Sequence, residues 1–417
     1  MRTSSKNENT TDLIHEKECD EYIAKLIVFH LFLMCGKNML VALVPFFYNN
    51  NNLLNWVIIG IFALIYVKLF YRFNIIKKMS GEGIAFLMVI VIFLFLSFLF
   101  NKNLFSSPNV VERMRTFIAY CIPLFIVFNT CENYDRIWFY LFRYNKLLFV
   151  VATICFATFM ITKSTFQLDS SYNMSFGNNL MLVILVYIFD YWINDNIKSF
   201  CLSVICVFYL LFIGSRGPLV TICIAYLIIM ILVRKKNFKQ LWFRFFSAGS
   251  LFFLVINWSE TVLLLMTLCE KLGIQSRTIS RLGNLKAMSY NSHRDDYHNG
   301  IKEALINHPF GLGAFGGDYT VGLAHGFYWD IFANFGYYIG FLFIIFFVAA
   351  IIKKLFKYRN SKYSDCILLF SLMLLPRGFF DGTFWGSYEM WVIIALLTNV
   401  HCNKSIEKHL KMKMQLI

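Results

Sequence analysis

Long apolar runs separated by polar breaks recur along the whole chain. They fall at roughly 22–48, 53–72, 83–100, 116–131, 145–162, 178–194, 198–213, 217–233, 242–258, 326–351, 364–378 and 384–401. Most are near the ~17–25 apolar residues a bilayer-crossing helix needs. The pattern predicts an all-α integral membrane protein with about 12 transmembrane helices. The first run is interrupted by Gly36-Lys37-Asn38, and the run at 116–131 is short. This divides the chain into a tail (1–21), spans one to nine (22–258), a long polar loop (259–325), spans ten to twelve (326–401) and a second tail (402–417).

The polar breaks give an orientation. Alternate ones hold Arg72/Lys77/Lys78, Arg136/Arg143/Lys146, Arg234/Lys235/Lys236/Lys239 and Lys353/Lys354/Lys357/Arg359/Lys362, and the last tail adds Lys404, Lys408, Lys411 and Lys413. Basic loops stay on the cytoplasmic side, so both termini are expected inside. The opposite side then carries Asn49 to Asn52, the segment 164–177 and the long loop.

Composition agrees with the pattern. Only 15% of residues are charged, against roughly 25% in soluble domains. The net charge of +15 would suggest nucleic acid in a soluble chain. Here it sits in short loops, where membrane topology accounts for it, and no nucleic-acid partner is expected. The 11 cysteines are scattered, mostly in apolar runs, with no C-x-x-C pair. They read as small hydrophobes, without a metal site or disulfide framework. The first ~20 residues are polar, with no short apolar segment and cleavage site after them, so the first span is expected to be an uncleaved anchor. No internal repeat is evident, which counts against a transporter made of two similar halves.

The long loop is the exception among short connections. At on the order of 65 residues, it has the length of functional rather than incidental loops. Tyr297, Ile301, Ala304 and Leu305 recur at helical spacing, predicting an amphipathic helix over about 295–307. Pro309 stops it, and Gly311, Gly313, Gly316 and Gly317 allow a tight turn. Such a helix suits the outer membrane face as a lid; the alternative is a surface loop packed on itself.

The candidate chemistry lies in residues that break the charge pattern. Arg113 and Arg115 precede the fourth span, and Arg216 sits in Gly214-Ser215-Arg216-Gly217-Pro218 between the seventh and eighth. Arg277, Arg281 and Arg294 are in the long loop, and Arg377 follows Pro376 at the outer end of the eleventh span. Charge at membrane depth is costly and is usually kept for function. A guanidinium fork also suits a phosphate oxygen pair. Several converging on one outer cavity would bind an anion such as a pyrophosphate. The alternative for most of them is snorkelling to headgroups. His325, where the chain re-enters the membrane, can be a neutral base, with an ordinary pKa of about 6.5. Its alternative is a simple interfacial residue. Asp330, Asp381 and Glu389 lie near span ends, each a lesser candidate base or a counter-ion for Arg377.

Together these residues resemble the bacterial O-antigen ligases and Wzy-type polysaccharide polymerases. The resemblance rests on about 12 spans and one large outer loop. It also rests on Ser215-Arg216-Gly217 starting a span, Arg294 with His298 four residues later, Pro309 with Gly311-Leu312-Gly313, and Ala324-His325-Gly326. Phe176-Gly177-Asn178-Asn179 is similar to the family's Asn-bearing span start. His298 stands where the family has Trp, and Gly326 where it has Asn.

The resemblance implies a GT-C-like membrane fold in a bacterial inner (plasma) membrane, with the active site facing the periplasm or exterior. It implies metal-independent glycosyl transfer from a polyprenyl-pyrophosphate-linked oligosaccharide, with no cofactor. It implies His325 as the base and Arg216 and Arg294 at the leaving pyrophosphate; with the charge reading, Arg377, Arg281, His298, Arg113 and Asp330 are expected as substrate-binding residues. The bilayer and the lipid-linked glycan are the expected partners, with room for a chain-length regulator. The reading is a polymerase of repeat units for O-antigen, capsule or exopolysaccharide. A ligase transferring to another acceptor is the near alternative, and a lipid-linked oligosaccharide flippase the distant one. A flippase should carry charge in mid-span, where Lys37, Lys68 and Asp190 are the few examples.

Overall fold

The computed structural model describes residues 4–101, 103–162, 174–213, 216–232, 256–271, 293–320, 326–359 and 361–399, with isolated residues between them. No strand occurs among the described residues. Six helices there are long and apolar enough to cross a membrane: Glu18–Leu43, Asn51–Tyr71, Gly81–Phe100, Tyr134–Ile161, Met174–Asn194 and Phe327–Lys357. Ile197–Ile213, Gly217–Leu232 and Tyr388–Thr398 are shorter apolar helices. The protein is thus an α-helical membrane protein. The predicted run at 242–258 lies mostly outside the described residues.

The chain forms two compact units. One comprises Met1–Leu31, Asn55–Leu141 and His293–Ile417, the other Phe32–Leu54 and Phe142–Ser292. The first helix, α1 (Ser4–Leu43), runs unbroken through the polar interruption at Gly36-Lys37-Asn38. Glycine is tolerated inside a helix at a cost of only ~1 kcal/mol, and the break comes instead at Val44, ahead of Pro45. α2 is Asn51–Phe73 and α3 Gly81–Phe100. α4 (Pro108–Thr116) starts eight residues before the expected fourth span, with Pro108 in its first turn, a position that tolerates the missing N–H. It passes through a π-helical turn, Phe117–Cys121, into α5 (Ile122–Thr130).

α6 (Tyr134–Thr162) contains Arg136, Arg143 and Lys146, which were expected in a connection between spans. A helix of this length, about 43 Å, exceeds a ~30 Å hydrocarbon core, so its first turns can carry charge beyond the core.

In the second unit, α7 (Met174–Asn194) is buried along nearly its whole length and packs with α8 (Ile197–Ile213) and α9 (Arg216–Leu232). The α7–α8 turn is closed by Asp190. Its carboxylate accepts from Asn194 Nδ2 at 2.7 Å, from Asn196 Nδ2 at 2.8 Å and from Ser199 Oγ. α10 (Trp258–Lys271) occupies the start of what reads in sequence as the long loop.

The C-terminal part of the first unit positions the site. The amphipathic helix forms as predicted: α11 (His293–Asn307) ends just before Pro309. Its Ile301 and Leu305 are buried with Ala333 against Trp329 and Phe332. A short helix, α12 (Gly316–Thr320), follows. α13 (Phe327–Lys357) is broken at Gly336, whose φ of 77° is outside the helical region. The glycine-rich turn wedges into this break. A Cβ on Gly336 would lie 2.2 Å from the Pro309 carbonyl oxygen, and one on Gly311 2.5 Å from that of Asn334. The two backbones can approach this closely only without side chains. Leu312 N–H donates to the freed Ala333 carbonyl at 2.8 Å, which satisfies a group the break would otherwise orphan. α14 (Lys362–Leu374), a 3₁₀ turn (Arg377–Phe379) and α15 (Tyr388–Thr398) complete the unit.

Candidate functional site

The outer-side candidates fall into three groups. His325 and Arg281 lie outside the described residues, as do Gly214 and Ser215. Arg216 is the first residue of α9 and Arg294 lies in the first turn of α11. Arg113, His298, Asp330 and Arg377 have defined side-chain surroundings, all within the first unit.

Arg113, on α4, faces Asp318 on α12. Its Nε is 3.6 Å from Asp318 Oδ1, an ion pair too long to be a hydrogen bond. The Asp318 side chain is fully buried, and neither of its oxygens accepts a hydrogen bond. Burial pushes the Asp318 carboxyl up to about 6, against the downward pull of the Arg113 guanidinium. Asp330, in the first turn of α13, is equally buried and within electrostatic reach of both Asp318 and Arg113. Its Oδ2 accepts the Phe384 N–H at 2.6 Å, while Oδ1 accepts no hydrogen bond. Asn334 Nδ2 donates to the Asp330 backbone carbonyl. Two buried carboxylates thus face one guanidinium. Unpaired buried charge is costly, so this arrangement favours holding a proton or another cation.

Arg377 is differently placed. Its Nη1 is 2.9 Å from Glu389 Oε1 and its Nη2 donates to Oε2 at 3.1 Å. Both side chains are buried, and the two charges neutralise each other within the protein, although Arg377 Nε makes no hydrogen bond. Of the three counter-ions considered from sequence, Glu389 makes the ion pair, and Asp381 adds its negative charge nearby. To bind a substrate anion, Arg377 would first have to leave Glu389. Asp330, expected at substrate, anchors the turn after the 3₁₀ segment through its bond to Phe384. That turn is closed on itself by Thr383 N–H to Ser387 Oγ and Gly386 N–H to Thr383 Oγ1. It also gathers the cluster: Arg113 Nη1 is 3.2 Å from the Cβ position of Gly386, and Arg377 Nη2 3.8 Å from that of Gly382.

His298 stacks on Trp329 with ring centroids 4.8 Å apart. Lys302, one turn on, sits over the same indole with Nζ 5.4 Å from its centroid. His298 Nε2 is also 3.8 Å from the Cβ position of Gly326, so it stands beside the backbone that follows His325.

Two residues of the site were not singled out from sequence. Asp318 is a single acid in a glycine-rich stretch, and only its placement against α4 and α13 gives it meaning. Asn334 is a single carboxamide in an apolar helix, two residues before the break. Its Oδ1 accepts from Phe315 N–H and Trp385 Nε1, both at 2.8 Å, and its Nδ2 donates to the Asp330 carbonyl at 2.6 Å. It ties the glycine-rich turn, α13 and the 380–387 turn together. Phe315, held there with a left-handed φ of 59°, is a strained backbone position for a bulky residue. The signal available in sequence was an Asn and a Gly two residues apart inside an apolar run. Among the described residues, no group of three or more His, Cys, Asp or Glu side chains is arranged to hold a metal ion. No family model, curated protein or solved structure matches the chain, so what the site does is read from its own side chains.

Proposed function

We propose that the chain is a membrane glycosyltransferase joining polyprenyl-pyrophosphate-linked oligosaccharide repeat units on the outer face of a bacterial plasma membrane. One observation carries the reading. Ionisable groups from separated stretches (Arg113, Asp318, Asp330 and the Arg377–Glu389 pair) gather around the first half of α13, the helix into which His325 leads. Ionisable residues in a membrane protein mark function by default. In the reaction, an acceptor hydroxyl oxygen bonds to the anomeric carbon as the bond to pyrophosphate breaks. The hydroxyl proton passes to a base, and the bonding pair leaves on the pyrophosphate. His325 is the proposed base, with Arg216 and Arg294 stabilising the leaving group. Of Arg113 and Arg377, Arg113 is the more open to an anion. Its side chain is 28% exposed, against 7% for Arg377.

A transporter is the second reading, favoured by the broken α13 and the buried Asp318 and Asp330, since discontinuous helices and buried carboxylates also line transport paths. Deletion and complementation in the source bacterium separates the two. Surface glycan length and lipid-linked intermediates would be read for wild type, His325→Ala, Arg216→Ala and Arg294→Ala, with expression checked. A polymerase leaves single repeat units when deleted, and the variants fail to restore long chains. Long chains stranded on the carrier indicate a ligase. Lipid-linked units accumulating on the inner face, or harmless substitutions, reject the enzyme reading.

A further inference from the structure

α13 changes character at its break. Before Gly336, residues Phe327, Asp330, Ile331, Ala333 and Asn334 are buried. Beyond it, Tyr338, Ile339, Phe341, Leu342 and Phe346 are exposed by half or more, as a lipid-facing surface should be. This part ends in Lys353, Lys354 and Lys357. From Gly336 to Lys357 is roughly 20 residues, about 30 Å of helix, which matches a ~30 Å hydrocarbon core. The lysines mark one boundary of that core, so the break falls at the other.

Phe310 is fixed at the same level, because a Cβ on Gly336 would lie 2.6 Å from its carbonyl carbon. Phe310 is 72% exposed and Ile306, near the end of α11, is 76% exposed. The opposite face of α11 is already occupied by packing on α13. Lys302 lies one turn before Ile306, on the exposed side beside Trp329. A lysine and a tryptophan next to bare apolar side chains is the composition of a membrane–water boundary. Phe310 thus adjoins the start of the exposed band of α13.

We propose that Ile306 and Phe310 insert into the bilayer leaflet on the Gly336 side, anchoring the last turn of α11 and the turn after it to lipid at the headgroup–acyl boundary, while the rest of α11 runs along α13 away from the membrane. The glycine-rich turn is then held from two sides, by the α13 break and by the membrane. This holds whatever the site catalyses.

The test uses the full chain in phosphatidylcholine–phosphatidylglycerol vesicles, with an environment-sensitive fluorescent amino acid placed singly at positions 299, 306 and 310. Asn299, two turns up α11, is the exposed polar control. The expected result is quenching at 306 and 310 several-fold stronger by a shallow nitroxide lipid than by aqueous iodide, with the reverse at 299. Iodide quenching at 306 and 310 equal to that at 299 overturns the proposal. So does shielding from both quenchers with energy transfer between labelled copies, which would mean that a second copy of the chain covers the surface.

Discussion

Asp190 and Asp318 are both buried aspartates in a largely apolar chain, and their surroundings differ. The Asp190 carboxylate takes three donors from its own turn, Asn194, Asn196 and Ser199. Among the described residues Asp318 takes none, and Arg113, the cation paired with it, stands at 3.6 Å. The same contrast appears within the first unit. At the far end of α5 and α15, Asn129 accepts from Ser80 N–H at 3.0 Å and donates to Thr398 Oγ1 at 3.0 Å, and Asn399 donates to the Cys131 carbonyl at 2.8 Å. Those groups are neutral and satisfied, and they cap helices. At the near end, by Glu389 and Arg113, the groups are charged and the Asp318 and Asp330 carboxylates are short of donors. A satisfied polar group explains itself by stability; an unsatisfied buried charge does not. The difference separates the scaffold from the site.

The comparison can be broken by experiment. The largest effect is expected at the buried ion pair: Arg377→Ala leaves Glu389 buried without its cation and should cost about 3–5 kcal/mol, seen as lost folded protein in a detergent melting assay. Arg377→Met with Glu389→Gln should recover most of it.

Next comes pH. The Asp318 carboxyl is raised from an ordinary 3.8 to about 6 in the folded protein. A raised folded value means stability that is full below pH 4 and lost as pH rises through about 6. Two units correspond to about 3 kcal/mol. The melting temperature of wild type should therefore fall between pH 4 and 7, and Asp318→Asn should flatten that slope. Asp190→Asn should act in the opposite sense, turning an NH₂ toward donors and costing about 1–3 kcal/mol.

A further effect is Gly336→Ala. The positive φ and the Pro309 oxygen leave no room for a methyl, so a loss of about 1–3 kcal/mol is expected, together with protease sensitivity in the 308–316 turn. The smallest is Lys302→Ala, which removes an exposed contact with Trp329 and should cost about 0.5–1 kcal/mol.

Much of the scaffold was legible in the chain because its signals are local. The spacing of Ile301 and Leu305 gave α11 its buried face, and Pro309 its end. Glu389 was among the counter-ions considered for Arg377. Boundaries were less legible where helices outrun the apolar window, as α4 and α6 do by carrying Arg113, Arg136 and Arg143 inside them. The site was legible only in part. Arg113, His298, Asp330 and Arg377 were marked as anomalies of charge or position, but their partners are remote in sequence. Asp318 pairs with a residue some two hundred positions earlier, and Asn334 meets Trp385 across the next helix. No periodicity or motif carries such pairings, so neither residue stood out before folding brought its partners to it.

The most direct measurement is the length of surface glycan made by Asp318→Asn and Asp190→Asn in the deletion strain, normalised to the amount of each protein in the membrane. The division into scaffold and site predicts that Asp318→Asn accumulates normally yet makes only short chains, and that Asp190→Asn accumulates poorly but makes full-length chains per molecule. Full-length glycan from Asp318→Asn at normal abundance would contradict it.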